Sequence, residues 1–373
     1  MRLHDRYLFR ELLTPMTYCL GGFLVFWISY FFFTQLDDMQ EHKLRLFDCA
    51  EYALAMMPSF FVMVLPITLL LALLYALTHH ARHHELTALR AAGISLWRLC
   101  APYFVVGLVA TGFYFFLNEY AAPMCADWSQ SILNRYVKNE NASKLKTHFY
   151  KIGFRNSRAN RIWQMGEYDA DTKTMYNPNV TWTLPDGSWR ALQAVRAEYT
   201  NETWVFFNAQ LFQQSGIKGD VVPIAVTNWI AMREFDETPR QILSDIKLSD
   251  AQTLRGSRNA DIPLKELREY FKLHPKLPAD DAHALYTKYY GRLAIPWTCM
   301  VVVLMAIPFG AQSGRRNLFF GVAGSIFICF AFFVLQQISL AFGQSGHLPP
   351  WLAAWLPNMV FGITGAIMIM RTR

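Results

Sequence analysis

The chain has 373 residues, of which 53% are hydrophobic and 15% are aromatic, and its formal net charge is +7. This composition excludes an ordinary soluble protein, because the apolar residues are collected into six uncharged runs close to the length of about 20 residues that spans a bilayer. None of the runs contains Asp, Glu, Lys or Arg, and a charge at the bilayer centre would be costly. The runs are 15–36, 53–77, 99–117, 293–309, 318–342 and 351–370.

The basic residues of the short connections are distributed unevenly. Segments 1–14, 78–98, 310–317 and 371–373 together hold ten Lys or Arg, whereas the alternate connections hold only Lys43 and Arg45. The positive-inside rule therefore predicts that both termini are cytoplasmic and that the long segment between the third and fourth runs lies on the opposite, periplasmic side. That segment carries 22 basic and 20 acidic residues, so the net charge follows membrane topology and does not indicate a nucleic-acid partner.

The connection between the second and third runs predicts a short amphipathic cytoplasmic helix over about 84–98. Glu85, Leu86, Leu89 and Arg90 fall on one side of this helix, and Gly93 is a natural helix stop. A membrane subunit needs such a helix to receive a mechanical push from a cytoplasmic motor. An ordinary interfacial helix has the same pattern, so the residues alone leave both interpretations open.

The segment 118–291 is large enough to form a separate domain between a first membrane part, 1–117, and a second, 292–373. Short stretches rich in aromatic and β-branched residues, separated by turn residues, predict an all-β, jelly-roll-like domain. A helical pattern from 263 to 290 predicts a return segment into the membrane. Cys49 and Cys125 both fall on the external side, and the sequence leaves open whether they pair.

Two observations limit the chemistry that this chain can perform. It has no G-x-x-x-x-G-K-[ST] motif, so a P-loop cannot hold ATP here and a partner must supply the energy. The cluster His79-His80-Ala-Arg-His83-His84 has a helical spacing that could bind a metal. The remaining histidines form no second cluster, so a basic, membrane-proximal helix end is the simpler interpretation, and a membrane metalloenzyme stays as an alternative.

Several motifs resemble the LptF/LptG family of lipopolysaccharide-export permeases, and they occur in the family's order along the whole chain. The most specific is Glu-Leu-Thr-Ala-Leu-Arg-Ala-Ala-Gly-Ile-Ser at 85–95. The others are at 6–15, 65–70, 194–208, 290–296, 306–310 and 353–358. The resemblance implies six transmembrane helices arranged as three plus three around a periplasmic jelly roll.

The resemblance also implies a function and a set of partners. Two such permeases pair in the inner membrane, a cytoplasmic LptB-like ATPase dimer drives them, and no cofactor is expected in the permease itself. The pair extracts lipopolysaccharide and passes it toward an LptC-like periplasmic protein. The family signature assigns Glu85, with Leu86 and Leu89, to contact with the ATPase. Another envelope lipid or a lipoprotein as cargo is the alternative that the sequence leaves open, as is whether the chain is LptF-like or LptG-like.

Cations near the external ends of the runs are candidates for binding the phosphates of the cargo, because phosphates favour Arg and Lys. Lys43 and Arg45 follow the first run, and Lys288 and Arg292 precede the fourth. Arg292 is the strongest candidate, because it lies at the hydrocarbon edge within a family-like motif. Its alternative role is a snorkelling helix anchor.

Overall fold

The computed structural model describes residues 3–41, 45–85, 88, 91, 93, 96–133, 148–156, 159–184, 187–214, 221–253, 262–275, 277–312 and 318–371. The chain forms two compact units, one from Met1–Val137 with Ala282–Arg373 and one from Lys138–Asp281. The helices are α1 (Leu3–Glu41), α2 (Leu46–Arg82), α3 (Leu96–Phe116), α4 (Ala122–Leu133), α5 (Pro239–Thr253), α6 (Leu264–Leu273), α7 (Ala279–Ala294), α8 (Thr298–Gln312), α9 (Leu318–Gln344) and α10 (Pro350–Arg371). A π-helical turn, Leu117–Ala121, joins α3 to α4, and a 3₁₀ turn, Ile295–Trp297, joins α7 to α8.

Six helical segments of the described chain are long and apolar enough to cross a membrane. They are Arg6–Gln35, Leu46–Arg82, Trp97–Ala126, Asp281–Gly310, Phe327–Gln344 and Pro350–Arg371. Each contains one of the six uncharged runs or overlaps most of it, and an antiparallel β domain is inserted between the third and the fourth. The predicted fold class, a membrane-helical protein with an inserted β domain, is therefore confirmed.

Helix α2 provides the centre of the membrane unit. Leu69, Leu73 and Leu77 are fully buried in a core that also contains side chains of α1, α3 and α8. The packing of α8 on α2 is close: a Cβ added to Gly310 would lie 2.5 Å from the Cβ of Leu77. Small residues at such crossings allow helix backbones to approach in a membrane, where dispersion contacts replace the hydrophobic effect.

The second unit is built on one antiparallel sheet of eight strands. The strands are β1 (His148–Asn156), β2 (Arg161–Asp169), β3 (Thr174–Tyr176), β4 (Asn179–Thr183), β5 (Trp189–Gln193), β6 (Arg196–Thr200), β7 (Thr203–Gln214) and β8 (Val221–Met232). β1 pairs with one edge of β2, whose other edge pairs with both β3 and β4. β3 continues the sheet to β6 and β4 continues it to β5, and both of these pair with the same edge of β7, while β8 pairs with the other edge.

Three interruptions lie side by side across this sheet. Asn177 and Pro178 separate β3 from β4, and Ala194 and Val195 separate β5 from β6. In β7 the matching position is Asn208, whose φ of 51° is left-handed, a conformation that Asn tolerates better than most residues. The stretch 191–199 is therefore divided into two strands, and the regular pairing of the sheet is interrupted along this line.

One face of the sheet holds the core of the β unit. Trp163, Trp204 and Phe206 are completely buried there, and α5 covers them with Ile242 and Ile246. The predicted helical return segment over 263–290 is interrupted between α6 and α7, where Pro275 and Pro278 cannot donate the backbone hydrogen bonds of a helix.

Candidate functional site

The first candidate site lies where α2 ends. α2 stops at Arg82, and His84 adopts a φ of 58°, which is unusual for a side chain other than Gly or Asn. The backbone turns at this point, and helical geometry resumes at Glu85. Residues five apart on a continuous helix face different sides, so this break is what allows Glu85 to reach back to His80.

The Glu85 cluster consists of Tyr7, His80 and Glu85. One carboxylate oxygen of Glu85, Oε2, lies 2.7 Å from Nδ1 of His80. The other, Oε1, accepts a hydrogen bond of 3.4 Å from the hydroxyl of Tyr7 on α1. The His80 side chain is 1% exposed, whereas that of Glu85 is 37% exposed. Glu85 is thus held by two helices and still presents part of its carboxylate to the outside.

The other predicted coupling residues are only partly described. Gly93 is exposed with a φ of 81°, and a Cβ there would meet no atom within 4 Å, so the backbone conformation explains this glycine. Leu86, Leu89 and Arg90 lie outside the described residues.

The neighbouring histidines do not form a metal site with His80. The rings of His79 and His83 lie 4.5 Å apart in an edge contact, while His80 turns toward Glu85. Among the described residues, no three His, Cys, Asp or Glu side chains form a group that could hold a metal ion. The thiols of all six cysteines are free, including those of Cys49 and Cys125.

The second candidate site, the Arg292 pair, joins the end of α3 to α7. The Arg292 side chain is 5% exposed, and its Nε lies 3.9 Å from Oε2 of Glu119, whose side chain is 8% exposed. The Nη2 group of Arg292 also donates a hydrogen bond of 2.8 Å to the main-chain carbonyl of Asn118. Both acceptors belong to the π-helical turn, a rare element that often marks a functional position.

The remaining predicted cations are in different environments. Lys288 is half-buried and lies one helical turn before Arg292 on α7. Arg45 is exposed and precedes the first residue of α2, where its backbone N–H donates to the carboxylate of Asp48 at 3.2 Å. Lys43 lies outside the described residues.

Sequence reasoning overlooked Tyr7 and Glu119 as site residues, and it considered His80 only as a member of a metal-binding cluster. Glu119 and Arg292 carried a usable signal: each lies within two residues of an uncharged run, on the same predicted side of the membrane, and their charges are opposite. No comparable signal marks the contact of His80 with Glu85, because it depends on the backbone reversal at His84.

The β unit contributes an exposed edge. β8 has no second neighbour among the described strands, and most of its side chains are exposed, including Val226 at 71% and Trp229 at 66%. A sheet edge of this kind presents unpaired backbone N–H and C=O groups that can pair with another chain.

A network of charged and polar side chains lies near the first residues of α5 in the β unit. The Glu237 carboxylate is buried, and it accepts hydrogen bonds from Arg161 at 2.7 Å, from Asn156 at 2.7 Å and from the indole of Trp163 at 3.3 Å. Nearby, burial and the carboxylate of Asp245 raise the pKa of Tyr270.

Comparison with known proteins gives a family match over nearly the whole chain. A search among curated proteins found no match. A model of the lipopolysaccharide export system permease family LptF/LptG matches residues 6–371, a range that contains all six apolar helices and the β unit. The chain therefore belongs to the LptF/LptG family of lipopolysaccharide export permeases and is a multi-pass inner-membrane transporter subunit.

Proposed function

We propose that this chain is one of two permeases in an ATP-driven machine that extracts lipopolysaccharide from the inner membrane and passes it to a periplasmic bridge toward the outer membrane. The family match over residues 6–371 carries this proposal. The proposed partners are a paralogous LptF/LptG permease, an LptB-like ATPase dimer and an LptC-like membrane-anchored periplasmic protein. ATP hydrolysis belongs to the partner, since this chain lacks a P-loop.

The proposed orientation places both termini in the cytoplasm and the β unit in the periplasm. The uneven distribution of basic residues in the short connections supports it. A cysteine at the exposed position Thr183, next to the turn at Gly187, should be labelled by an impermeant reagent from outside the inner membrane. Labelling only when the reagent has access to the cytoplasm would contradict this orientation. Thr183 suits this test better than Gly187, whose φ of 82° would strain a cysteine.

Coupling to the ATPase is assigned to the segment that begins at Glu85. The exposed part of the Glu85 carboxylate would meet a basic residue of the ATPase, with Leu86, Leu89 and Arg90 beside it and Gly93 ending the contact. Removing one partner of a buried charge pair is strongly destabilising. Glu85→Lys should therefore abolish ATPase coupling or complex assembly while the chain still inserts, and normal export by this variant would refute the assignment.

Binding of the cargo phosphates is assigned to Arg292, with support from Lys288 on the same face of α7 and from Lys43 and Arg45. Arg292 is already held by Glu119 and the carbonyl of Asn118. A guanidinium has five N–H donors, so a phosphate would bind Arg292 beside these acceptors through a charge-assisted hydrogen bond.

Photo-crosslinking tests this assignment in cells that make lipopolysaccharide. Probes at 288 and 292 should crosslink to the lipid, and probes at 43 and 45 should do so less. Tyr286 is the matched control, because it is exposed on the same helix but faces away from Lys288. Equal crosslinking from 286, or none from 288 and 292, would remove the assignment.

The acyl chains need only an apolar wall, and two helices offer one. The apolar windows of the first and fifth spans are 6% and 17% buried within this chain, compared with 67% for the second. In the proposed machine these surfaces of α1 and α9 face the second permease and the cargo. The exposed edge at β8 is in turn the proposed docking edge for a periplasmic β domain, which would add its own strand to the sheet.

Purification from the membrane tests the function as a whole. The expected result is an ATPase and a second permease that co-purify with this chain, and a bound phosphorylated glycolipid that mass spectrometry identifies as lipopolysaccharide. A different bound lipid, or a lipoprotein, would keep the machine but change its cargo. A chain that purifies with no ATPase would contradict the proposal.

A further inference from the structure

His80 is a deeply buried titratable side chain beside the proposed coupling segment. It is 1% exposed, and its neighbours Leu77 and Ala81 belong to the core that also includes Leu8 of α1 and Leu99 of α3. Its Nδ1 contacts Glu85, whereas its Nε2 is buried and has no hydrogen-bond partner among the described atoms. A buried polar atom that is left unpaired reduces stability, so packing alone does not explain a histidine here.

The contact with Glu85 constrains how the imidazole is protonated. A carboxylate only accepts hydrogen bonds, so Nδ1 must carry a proton and donate it. The donor is fixed by the surrounding core, while the acceptor belongs to the residue at which helical geometry resumes after the reversal at His84. His80 therefore connects a rigid three-helix core to the first residue of the next segment.

We propose that His80 is a positioning residue that transmits movement of the Glu85 segment to α1 and α2. This inference rests on the proposed coupling to an ATPase. When the ATPase displaces Glu85, the hydrogen bond from His80 carries that displacement into the buried end of α2, and the hydroxyl of Tyr7 carries it into α1. Without His80, the segment would still contact the ATPase through the exposed side of Glu85. The backbone turn at His84 would then bend, and the movement of the segment would not reach α1 and α2.

The nearby histidines give a matched control. His83 lies on the same end of the helix, is exposed, and contacts His79 rather than Glu85. His83→Leu removes an imidazole and adds the same side chain as His80→Leu, without altering the Glu85 cluster. His80→Asn keeps a donor near the position of Nδ1, and Tyr7→Phe removes only the hydroxyl.

The test uses the assembled complex with its ATPase in proteoliposomes, and it measures lipid released per ATP hydrolysed. A role in assembly alone would not change this ratio in complexes that do assemble. Because a hydrogen bond to a charged group contributes about a factor of ten to an equilibrium, His80→Leu should lower the ratio about tenfold. The longer contact of Tyr7 predicts a loss of about threefold in Tyr7→Phe. His80→Asn and His83→Leu should stay close to the parent.

The outcomes separate this inference from the proposed function. A parent complex that hydrolyses ATP but releases no lipid would contradict the proposed function, and His80 would then have no transport step to couple. A parent that releases lipid, together with a His80→Leu complex of unchanged ratio, would refute only the role of His80. If His80→Leu does not assemble, Tyr7→Phe decides the question, since a ratio equal to the parent's would overturn the inference.

Discussion

Breaking the Arg292 pair from either side should destabilise the membrane unit, and removing both partners should restore most of the lost stability. The relevant variants are Arg292→Met, Glu119→Leu and the combination of the two. Each single change removes one member of a pair whose side chains are both less than one-tenth exposed. The double change replaces the pair with apolar side chains of similar size.

The distances set the expected magnitudes. At 3.9 Å between Nε and Oε2, the attraction is ~4 kcal/mol for an effective dielectric constant of about 20. Dehydrating the two ions costs several kcal/mol each, so the intact pair contributes little net stability. A single variant should lose about 3–5 kcal/mol, which is the usual cost of breaking a buried pair by removing one partner. The double variant should lie within about 1–2 kcal/mol of the parent, since replacing a buried pair with apolar residues is often neutral.

Thermal unfolding of the purified complex and lipid crosslinking from position 288 read out stability and cargo binding separately. If Arg292 binds the cargo phosphate, the double variant recovers its thermal stability but crosslinks and exports poorly. If Arg292 is only a structural anchor, both properties recover together.

One result would refute the reasoning about the pair itself. If the losses of stability in the two single variants simply add in the double variant, the two charges do not interact across the π-helical turn. Additivity within about 0.5 kcal/mol is the criterion, because that is the range expected of independent sites.

Three further predictions concern the β unit. Glu237→Ala should lower its stability by about 3–5 kcal/mol in denaturant unfolding, because it leaves Arg161 without its buried partner, and an unchanged midpoint would contradict the network. Trp229→Glu on β8 should leave folding intact but weaken capture of a periplasmic β-domain partner in pull-down assays; unaffected capture would move the interface elsewhere. Because the pKa of Tyr270 is raised, the stability linked to its proton is complete below about pH 10 and is lost as the pH rises further. Tyr270→Phe should therefore reduce the alkaline loss of stability, and an identical pH profile would argue against this linkage.

The membrane architecture was predictable because it depends on runs of consecutive apolar residues. An uncharged run of bilayer length can be read directly from the sequence, and all six runs lie in helices that could span a membrane. The β character of the insertion was predictable for a similar reason, since aromatic and β-branched stretches alternate with turn residues. Helix ends were harder to place: the third uncharged run ends at 117, but helical structure continues from α3 through the π-helical turn into α4.

The site contacts depend on geometry that the sequence does not display. His80 and Glu85 are five residues apart and would diverge on a regular helix, so their contact requires the left-handed residue His84. Arg292 and Asn118 are separated by 174 positions and meet only after α7 and the π-helical turn come together in the fold. The line of interruptions across the sheet depends in the same way on residues, including Asn208, that lie far apart in the sequence.

ATP-dependent release of lipopolysaccharide from proteoliposomes tests the central claim most directly. The complex of this chain with its co-purified permease and ATPase should release lipopolysaccharide to a periplasmic acceptor when ATP is added, and Glu85→Lys should abolish that release. An assembled complex that hydrolyses ATP at the same rate with and without lipopolysaccharide, and releases none, would contradict the claim.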